Sequence, residues 1–154
     1  MKVFIGGSIV IRYLDYAVKN ELDKYMNGAS EILIGDAYGI DSLVQRYLEE
    51  HDYNNVTVYA SNGRARNNIG GWKIEKIEVS SGIFGRDFYT YKDIAMTNDC
   101  DIALMIWNGQ SKGTLANIKR MLDCGKGVNV YLSEKRQMRS VNDFKDYLGL
   151  SEEI

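Results

Sequence analysis

The chain has no proline, one histidine and two cysteines among its 154 residues. Without proline, its turns depend on Gly, Asn, Asp and Ser. Cys100 and Cys124 lack the Cys-x-x-Cys spacing of a metal or redox motif, and with His51 as the one histidine we expect no metal site. We therefore expect both thiols to be reduced and packed as small hydrophobic side chains, in a cytoplasmic protein.

Long hydrophobic runs and a large excess of one charge are missing too. No apolar segment approaches the roughly 20 residues that a membrane-spanning helix needs, and the first residues reach Gly6 too soon for a signal peptide. The net charge of -2 argues against a protein built to coat nucleic acid, although it is compatible with a local basic patch. We expect neither membrane nor nucleic acid as a partner, and no cofactor.

Short apolar runs alternate with longer amphipathic segments along the chain. Predicted strands cover residues 3–5, 31–34, 56–59, 102–107 and 128–132, with a further short strand around 74–79. Predicted helices carry their apolar stripes over residues 10–25, 43–48, 89–98, 115–122 and 141–148. This alternation predicts an α/β fold with a mostly parallel sheet and helices on both of its faces.

The pattern predicts a single domain over residues 1–154, with a core of about 1–132 and a C-terminal helical extension over 133–154. The final helix is predicted to begin at a Ser140 cap and to end at Gly149. The connection over residues 61–85 exceeds the usual 12–15 residues, and connections of that length are often lids or binding loops. Eleven tyrosines and two tryptophans exceed what one core accommodates, which predicts a homo-oligomer.

Three predicted strands end in small residues followed by polar ones. These segments are Gly6-Gly7-Ser8, Gly35-Asp36-Ala37-Tyr38-Gly39-Ile40-Asp41 and Asn108-Gly109-Gln110-Ser111-Lys112-Gly113-Thr114. In parallel sheets ligands bind beyond the carboxyl ends of the strands. Each segment leads into a predicted helix, whose unpaired first N–H groups and dipole favour an anion. Together the segments predict a phosphate-binding edge.

The third segment gives the clearest prediction. The hydroxyls of Ser111 and Thr114 would join backbone donors around one phosphate, while Gly109 and Gly113 let the backbone approach it. The alternative is an ordinary capped turn, for which Ser, Gly and Thr are common choices.

Carboxylates and arginines give further candidates, each with a structural alternative. Asp36 would bind ribose hydroxyls, whereas Asp41 is expected to be a helix cap or first-turn residue. Arg66, with Arg64, would clamp a phosphate or stack on a base, or else belong to a solvated loop. Asp93 would face the pocket or form a surface ion pair. Likewise, Ser8 would contact the ligand or cap a helix, and Trp107 would stack on a base or, as we expect, lie in the core.

These segments together resemble the SLOG superfamily, which joins the DNA-processing protein DprA and the LOG phosphoribohydrolases, and within it the YspA-like branch. The resemblance spans about residues 1–132 and includes the three segments above, Lys92-Asp93-x-x-Met96 and the run from Asp101 to Trp107. It implies a Rossmann-like three-layer sandwich and a nucleotide-derived ligand, such as a nucleoside phosphate or ADP-ribose.

One departure from the family bears on activity. LOG enzymes cleave the N-glycosidic bond of a nucleoside monophosphate, and the related deoxyribosyltransferases transfer a deoxyribosyl group. Both have a catalytic glutamate three residues after the threonine, where this chain has Asn117. Glycosidic cleavage needs a carboxylate, whereas an amide suits ribose binding. Nucleotide binding or sensing is therefore favoured over a hydrolase or transferase using Asp36 or Asp93, and DprA-like binding of single-stranded nucleic acid comes third because of the acidic charge balance.

The predicted site collects the residues singled out above. Asp36 and Asp93 are the candidate catalytic carboxylates. The predicted ligand-binding residues are Gly6, Gly7, Ser8, Gly35, Asp36, Gly39, Asp41, Arg66, Asn108, Gly109, Ser111, Gly113, Thr114 and Asn117.

Overall fold

The computed structural model describes residues 1–151, in which seven strands form one sheet and five helices cover it. The strands are β1 (Lys2–Gly7), β2 (Glu31–Gly35), β3 (Val56–Ser61), β4 (Lys73–Ile77), β5 (Ile102–Trp107), β6 (Val128–Leu132) and β7 (Gln137–Val141). The helices are α1 (Tyr16–Asn27), α2 (Ile40–Glu50), α3 (Gly85–Asp99), α4 (Lys112–Asp123) and α5 (Phe144–Ser151).

The sheet has the strand order β4-β3-β2-β1-β5-β6-β7, and each pairing is parallel except that of β6 with β7. The chain runs outward from β1 to β4 and then returns to the other side of β1 to form β5. The strand order therefore reverses between β1 and β5, where Gly6 pairs with Met105 and Gly7 with Ile106. Such a reversal leaves a crevice at the carboxyl ends of the strands, where α/β proteins bind ligands.

Alternate side chains of the buried strands enter two separate cores. Val3 and Ile5 of β1 pack on the side of α1 and α2, against residues such as Val18 and Leu48. Phe4 packs on the opposite side, in a core to which α3, α4 and α5 contribute. The predicted α/β fold is thus confirmed as a Rossmann-like three-layer sandwich. No helix within residues 1–151 is both long enough and apolar enough to span a bilayer.

The first helix begins later than its apolar residues suggest. We expected a stripe starting at Val10, but α1 begins at Tyr16, where the Asp15 carboxylate caps it by accepting the Ala17 N–H at 3.2 Å. Ser8 does not cap this helix, because its own N–H donates to the carbonyl of Ile106 and continues the β1–β5 pairing. The chain leaves the sheet as a loop, on which Ile9 and Val10 are exposed.

The C-terminal segment contains a strand as well as the expected helix. Ser140, expected to cap that helix, instead lies in β7 opposite Asn129 and donates its hydroxyl to the Asn129 side chain at 3.2 Å. The helix begins at Phe144, after Asp143 accepts the Asp146 N–H at 2.8 Å, and Gly149 lies inside it. The polar side chains of an edge strand give β7 little apolar signal.

The long connection between β3 and α3 contains less irregular loop than we expected, because part of it forms regular secondary structure. The short strand predicted around residues 74–79 is present as β4, at the edge of the sheet beside β3. In addition, α3 begins at Gly85, four residues before the predicted start. Only residues 62–72 and 78–84 remain as loops, and the first of these carries Arg66 to the carboxyl edge of the sheet.

Gly7 gives a test of how closely the chain is packed at this edge. A Cβ there would lie 2.4 Å from the Ile106 carbonyl oxygen and 2.8 Å from the Ile40 side chain. We expect Gly7→Ala to lower the free energy of unfolding by about 1–3 kcal/mol, measured by urea denaturation. The matched control is Gly113→Ala, where an added Cβ meets no heavy atom within 4 Å. Equal stability of the two variants would contradict the close packing.

Candidate functional site

A cleft of about 360 Å³ opens at the point where the strand order reverses. Phe4, Gly6 and Gly7 form its floor, and the facing sides of α3 and α4 form its walls. The loop after β1 and the start of α2 close it at the sheet edge, through Ile9 and Asp41 respectively. The volume falls within the range of small-molecule sites in proteins.

The first turn of α4 lines one end of the cleft. Ser111 caps the helix by accepting the Thr114 N–H at 3.3 Å, and the two side-chain hydroxyl oxygens lie 3.1 Å apart. In this first turn, the N–H groups of Lys112 and Gly113 have no acceptor within the helix, and the helix dipole places positive charge there. The space in front of Gly113 is open.

The turn before α4 is shaped by Asn108. Its side-chain oxygen accepts the N–H of Gln110 at 3.0 Å and of Ser111 at 2.9 Å, and the Ser8 hydroxyl at 3.2 Å. Trp107 is fully buried, as expected, and its indole N–H donates to the Ser111 carbonyl at 2.9 Å. Asn108 and Ser8 therefore hold the turn in place rather than line the cleft.

Two of the ionisable side chains that line the cleft, Asp41 and Lys92, are buried. Asp41 is in the first turn of α2, as expected, and its Oδ2 accepts the Ala37 N–H at 3.1 Å. Burial raises the pKa of Asp41 to about 6, although the nearby Lys92 ammonium acts to lower it. Burial alone would lower the pKa of Lys92, but the surrounding carboxylates, Asp93 and Asp41 first among them, raise it overall. Lys92 is therefore an ammonium at neutral pH.

Gly35 makes room for these two charges. A Cβ at Gly35 would lie 2.6 Å from the Asp41 carboxylate and 2.9 Å from the Lys92 amine. The glycine at the end of β2 thus lets both side chains reach the sheet edge from α2 and α3. We expected Gly35 to contact the ligand, but the structure explains the glycine by this packing instead.

A chain of hydrogen bonds crosses from α3 to α4 along the cleft wall. Lys92 Nζ lies 2.9 Å from Asp93 Oδ1, and Asn117 Nδ2 donates to Asp93 Oδ2 at 3.3 Å. Arg120 Nη2 then donates to Asn117 Oδ1 at 2.5 Å. Asp93 thus lines the cleft, and its ion pair is with the buried Lys92 rather than with a partner on the surface.

Arg66 lies in an exposed loop, but its guanidinium is anchored. Its guanidinium Nη2 donates to Asp36 Oδ1 at 2.8 Å, and its backbone N–H donates to Asp36 Oδ2 at 2.8 Å. The guanidinium also stacks on Tyr89, 3.9 Å from the ring centroid. Arg66 lines the cleft, whereas Asp36 is buried behind it with both oxygens engaged.

The structure brings most of the predicted residues to one place. Those that line the cleft are Gly6, Gly7, Asp41, Arg66, Asp93, Ser111, Gly113, Thr114 and Asn117. Those that lie behind it or beside it are Ser8, Gly35, Asp36, Gly39, Asn108 and Gly109. Gly39 serves the fold, since its φ of 74° and the contact that a Cβ would make with the Ile9 backbone both require glycine.

Sequence reasoning missed the positive charge of the cleft. Its lining includes two carboxylates, Asp41 and Asp93, and five cationic side chains, those of Arg66, Arg86, Lys92, Lys112 and Arg120. This surplus is local, because the whole chain has a net charge of -2. Helical spacing offered a signal for Arg120, which lies seven residues after Gly113 and therefore on the same face of α4.

A second cavity, of about 470 Å³, lies under the loop between β1 and α1. Arg12, Tyr13 and Tyr131 contribute to its lining, and so does the ion pair of Asp15 with Arg136, 2.9 Å long. It is the larger cavity, but of the predicted site residues only Asn108 reaches it. The smaller cleft is the candidate site, because it has the helix N-terminus and the ends of the central strands.

Neither a protein-family model nor a curated protein matches this chain. Within residues 1–151, no three His, Cys, Asp or Glu side chains are grouped as metal ligands would be. What the cleft binds is therefore inferred from its own residues and their geometry.

Burial of Asp41 has a consequence for stability at acidic pH. Because its pKa rises from 3.8 to about 6 on folding, the folded protein retains a proton that the unfolded chain releases between these pH values. The proton on Asp41 therefore stabilises the folded protein. This stabilisation is complete below about pH 4 and is lost as the pH rises through about 6. We expect the unfolding free energy of the wild type, relative to Asp41→Asn, to fall by about 2–3 kcal/mol over this interval.

Urea denaturation at a series of pH values measures this difference. Asp146→Asn is the matched control, since Asp146 is an exposed first-turn carboxylate that also accepts the N–H of the residue four positions earlier. A wild-type minus Asp41→Asn difference that stays constant, or rises, between pH 4 and 6 would contradict the burial effect.

Proposed function

We propose that this chain binds a nucleotide or a nucleotide-derived ligand, such as a nucleoside phosphate or ADP-ribose, in the cleft between α3 and α4. One observation carries the proposal. The α4 N-terminus and several cationic side chains line the same cleft, at the point where the strand order reverses. Parallel α/β sheets bind ligands at this point, and helix N-termini bind phosphate.

A phosphate group would lie at the first turn of α4. Ser111, Lys112, Gly113 and Thr114 all line the cleft, and they supply two N–H groups without an acceptor in the helix and two hydroxyls that lie 3.1 Å apart. Arg66 would add charge-assisted hydrogen bonds, because Asp36 and Tyr89 fix its guanidinium before any ligand arrives.

The carboxylates and the amide of the cleft favour a ligand that carries hydroxyl groups as well. Asp93 and Asn117 supply hydrogen-bond acceptors and donors suited to a ribose. Inorganic phosphate alone would use the cations and the α4 N-terminus but not these polar groups, and an uncharged nucleoside would use the polar groups but not the cations. A phosphorylated nucleoside satisfies both sets, which agrees with the resemblance to the SLOG superfamily.

A second candidate function is hydrolysis or transfer at the N-glycosidic bond of a nucleoside monophosphate. One observation favours it: Asp93 lies in the cleft and hydrogen-bonds Asn117, so a carboxylate adjoins the position of the family's glutamate. Asp36 is a poorer candidate, because Arg66 engages both of its oxygens. In this proposal Asp36 positions Arg66.

The third hypothesis, DprA-like binding of single-stranded nucleic acid, stays the least favoured, because it would need a longer basic surface than this cleft provides. The homo-oligomer stays a prediction. Association of two copies would bury exposed aromatic side chains such as Tyr13, Tyr16, Tyr38 and Phe84.

Gly113→Asp tests phosphate binding at α4. The open space admits the new side chain, and an acidic residue in the first helical turn is favourable for the helix, so the fold should remain intact. Its charge would repel the phosphate. We expect one or more nucleoside monophosphates, or ADP-ribose, to stabilise the wild type by about 2.7 kcal/mol at 100 times Kd, and Gly113→Asp to lose this stabilisation.

Thermal denaturation with a panel of nucleotides measures the effect. Gly113→Asn is the control, since it has nearly the same shape without the charge and should keep most of the binding. Absence of stabilisation by every phosphorylated nucleoside, or equal stabilisation of wild type and Gly113→Asp, would overturn the proposal.

Chromatography of the same mixtures for released base separates binding from catalysis. Release that is lost in Asp93→Asn but kept in Asp36→Asn would establish the glycosidase with Asp93 as its carboxylate. Intact ligand after prolonged incubation would leave binding as the function.

A further inference from the structure

We infer that β4 is an interface strand, which pairs antiparallel with β4 of a second copy of this chain to form a two-fold dimer with one continuous sheet. The inference goes beyond the proposed function and does not depend on it, because no ligand takes part in the pairing. It specifies a surface for the homo-oligomer that the aromatic content of the sequence predicts.

The outer edge of β4 is free to pair. Within residues 1–151, β4 is the last strand on its side of the sheet and pairs with β3 alone. The Ile77 carbonyl accepts the Asn62 N–H at 2.8 Å, and the Val79 N–H and carbonyl both bond the Asn62 side chain, so these two residues face β3. Backbone groups alternate between the two edges of a strand, so those of Lys76 and Glu78 face outward. Such an edge is a template for a further strand.

The charges of this segment complement those of a second copy. A two-fold axis at Ile77 places each Lys76 opposite Glu78 of the partner subunit, and each Ile77 opposite its own copy. Opposite charges in this arrangement stabilise an antiparallel pair. Charged side chains on an edge strand commonly prevent pairing between copies, but here their signs match.

Other registers are disfavoured by charge or by hydrogen bonds that the chain already makes. An axis at any of the four charged residues of segment 73–78 sets that residue opposite an identical charge. An axis at Ile74 sets Lys76 opposite Trp72, whose backbone N–H and carbonyl already bond the Asn68 side chain at 2.9 and 2.8 Å. The register centred on Ile77 is therefore the one that this segment favours.

The flank of α3 on the β4 side carries exposed aromatic side chains. Asp93 marks the opposite flank, because it accepts the Asn117 side chain of α4. At 3.6 residues per turn, Phe88 and Tyr91 lie about 140–160° around the helix from Asp93. Tyr91 is 43% exposed, and Phe84, one turn before Phe88, is 81% exposed.

These aromatic side chains lie close to the proposed axis. Ser61 of β3 is level with Ile77, and its hydroxyl donates to the Phe88 carbonyl at 2.9 Å. α3 packs chiefly on β3, and in the dimer the two β3 strands would be about 14 Å apart, which is three strand spacings. Large side chains such as Phe84 and Tyr91 suit the gap between two helices at that distance, and aromatic residues are enriched in interfaces.

Sedimentation equilibrium of charge-reversal variants tests the inference. We expect the wild type to sediment with the mass of two chains. Lys76→Glu and Glu78→Lys should each raise the dimer dissociation constant at least about tenfold, because each converts both cross-strand ion pairs into like-charge pairs. An equimolar mixture of the two variants should associate about as tightly as the wild type, since every Glu then lies opposite a Lys.

Two further variants serve as controls. Lys73→Glu reverses an exposed charge of the same strand that lies opposite the uncharged Ser81 in this register, and it should keep the dimer. The double variant Lys76→Glu/Glu78→Lys exchanges the two signs and should dimerise like the wild type. Circular dichroism checks the fold of each variant, and recovery of association in the mixture shows independently that both single variants are folded.

A wild type that stays monomeric up to about 1 mM would overturn the inference. A dimer that Lys76→Glu and Glu78→Lys leave unchanged would overturn it as well, because association would then use another surface. Two monomeric variants that fail to associate when mixed would contradict the register centred on Ile77. None of these results bears on nucleotide binding in the cleft, so the proposed function stands or falls by its own tests.

Discussion

The cleft depends on one buried cation. Lys92 reaches from α3 to the carboxyl edge of the sheet, where it pairs with Asp93 and lies near Asp41. Three elements meet through these charges, since Asp41 belongs to α2 and Asp93 binds Asn117 of α4. A buried charge is tolerated only with such partners, so the walls of the cleft are fixed relative to one another before a ligand arrives.

Internal hydrogen bonds limit which parts of the edge are free to bind an anion. The three predicted turns do meet at one edge, but side chains already accept many of their amide hydrogens. Asp41 accepts the N–H of Ala37, and Asn108 accepts the N–H groups of Gln110 and Ser111. The first turn of α4 and the arginine side chains therefore remain as the groups available to the anion that we propose.

Apolar strands and glycine-rich strand ends made the parallel sheet and the cleft at its carboxyl edge predictable. The predictions failed at residues whose surroundings are formed by segments distant in the sequence. β7 is polar, and its pairing with β6 is what makes it a strand. Val10 is exposed although apolar, because Gly7 and Ser8 hold the loop after β1 close to β5. Asp36 was expected to contact ribose, but Arg66, thirty residues later, engages it.

A crystal structure of the protein with a bound nucleoside 5′-monophosphate tests the central claim most directly. We expect a phosphate oxygen about 3 Å from the N–H group of Gly113, with the sugar directed towards Asp93 and Asn117. A phosphate bound instead in the second cavity, between Arg12 and Arg136, would contradict the assignment of the cleft.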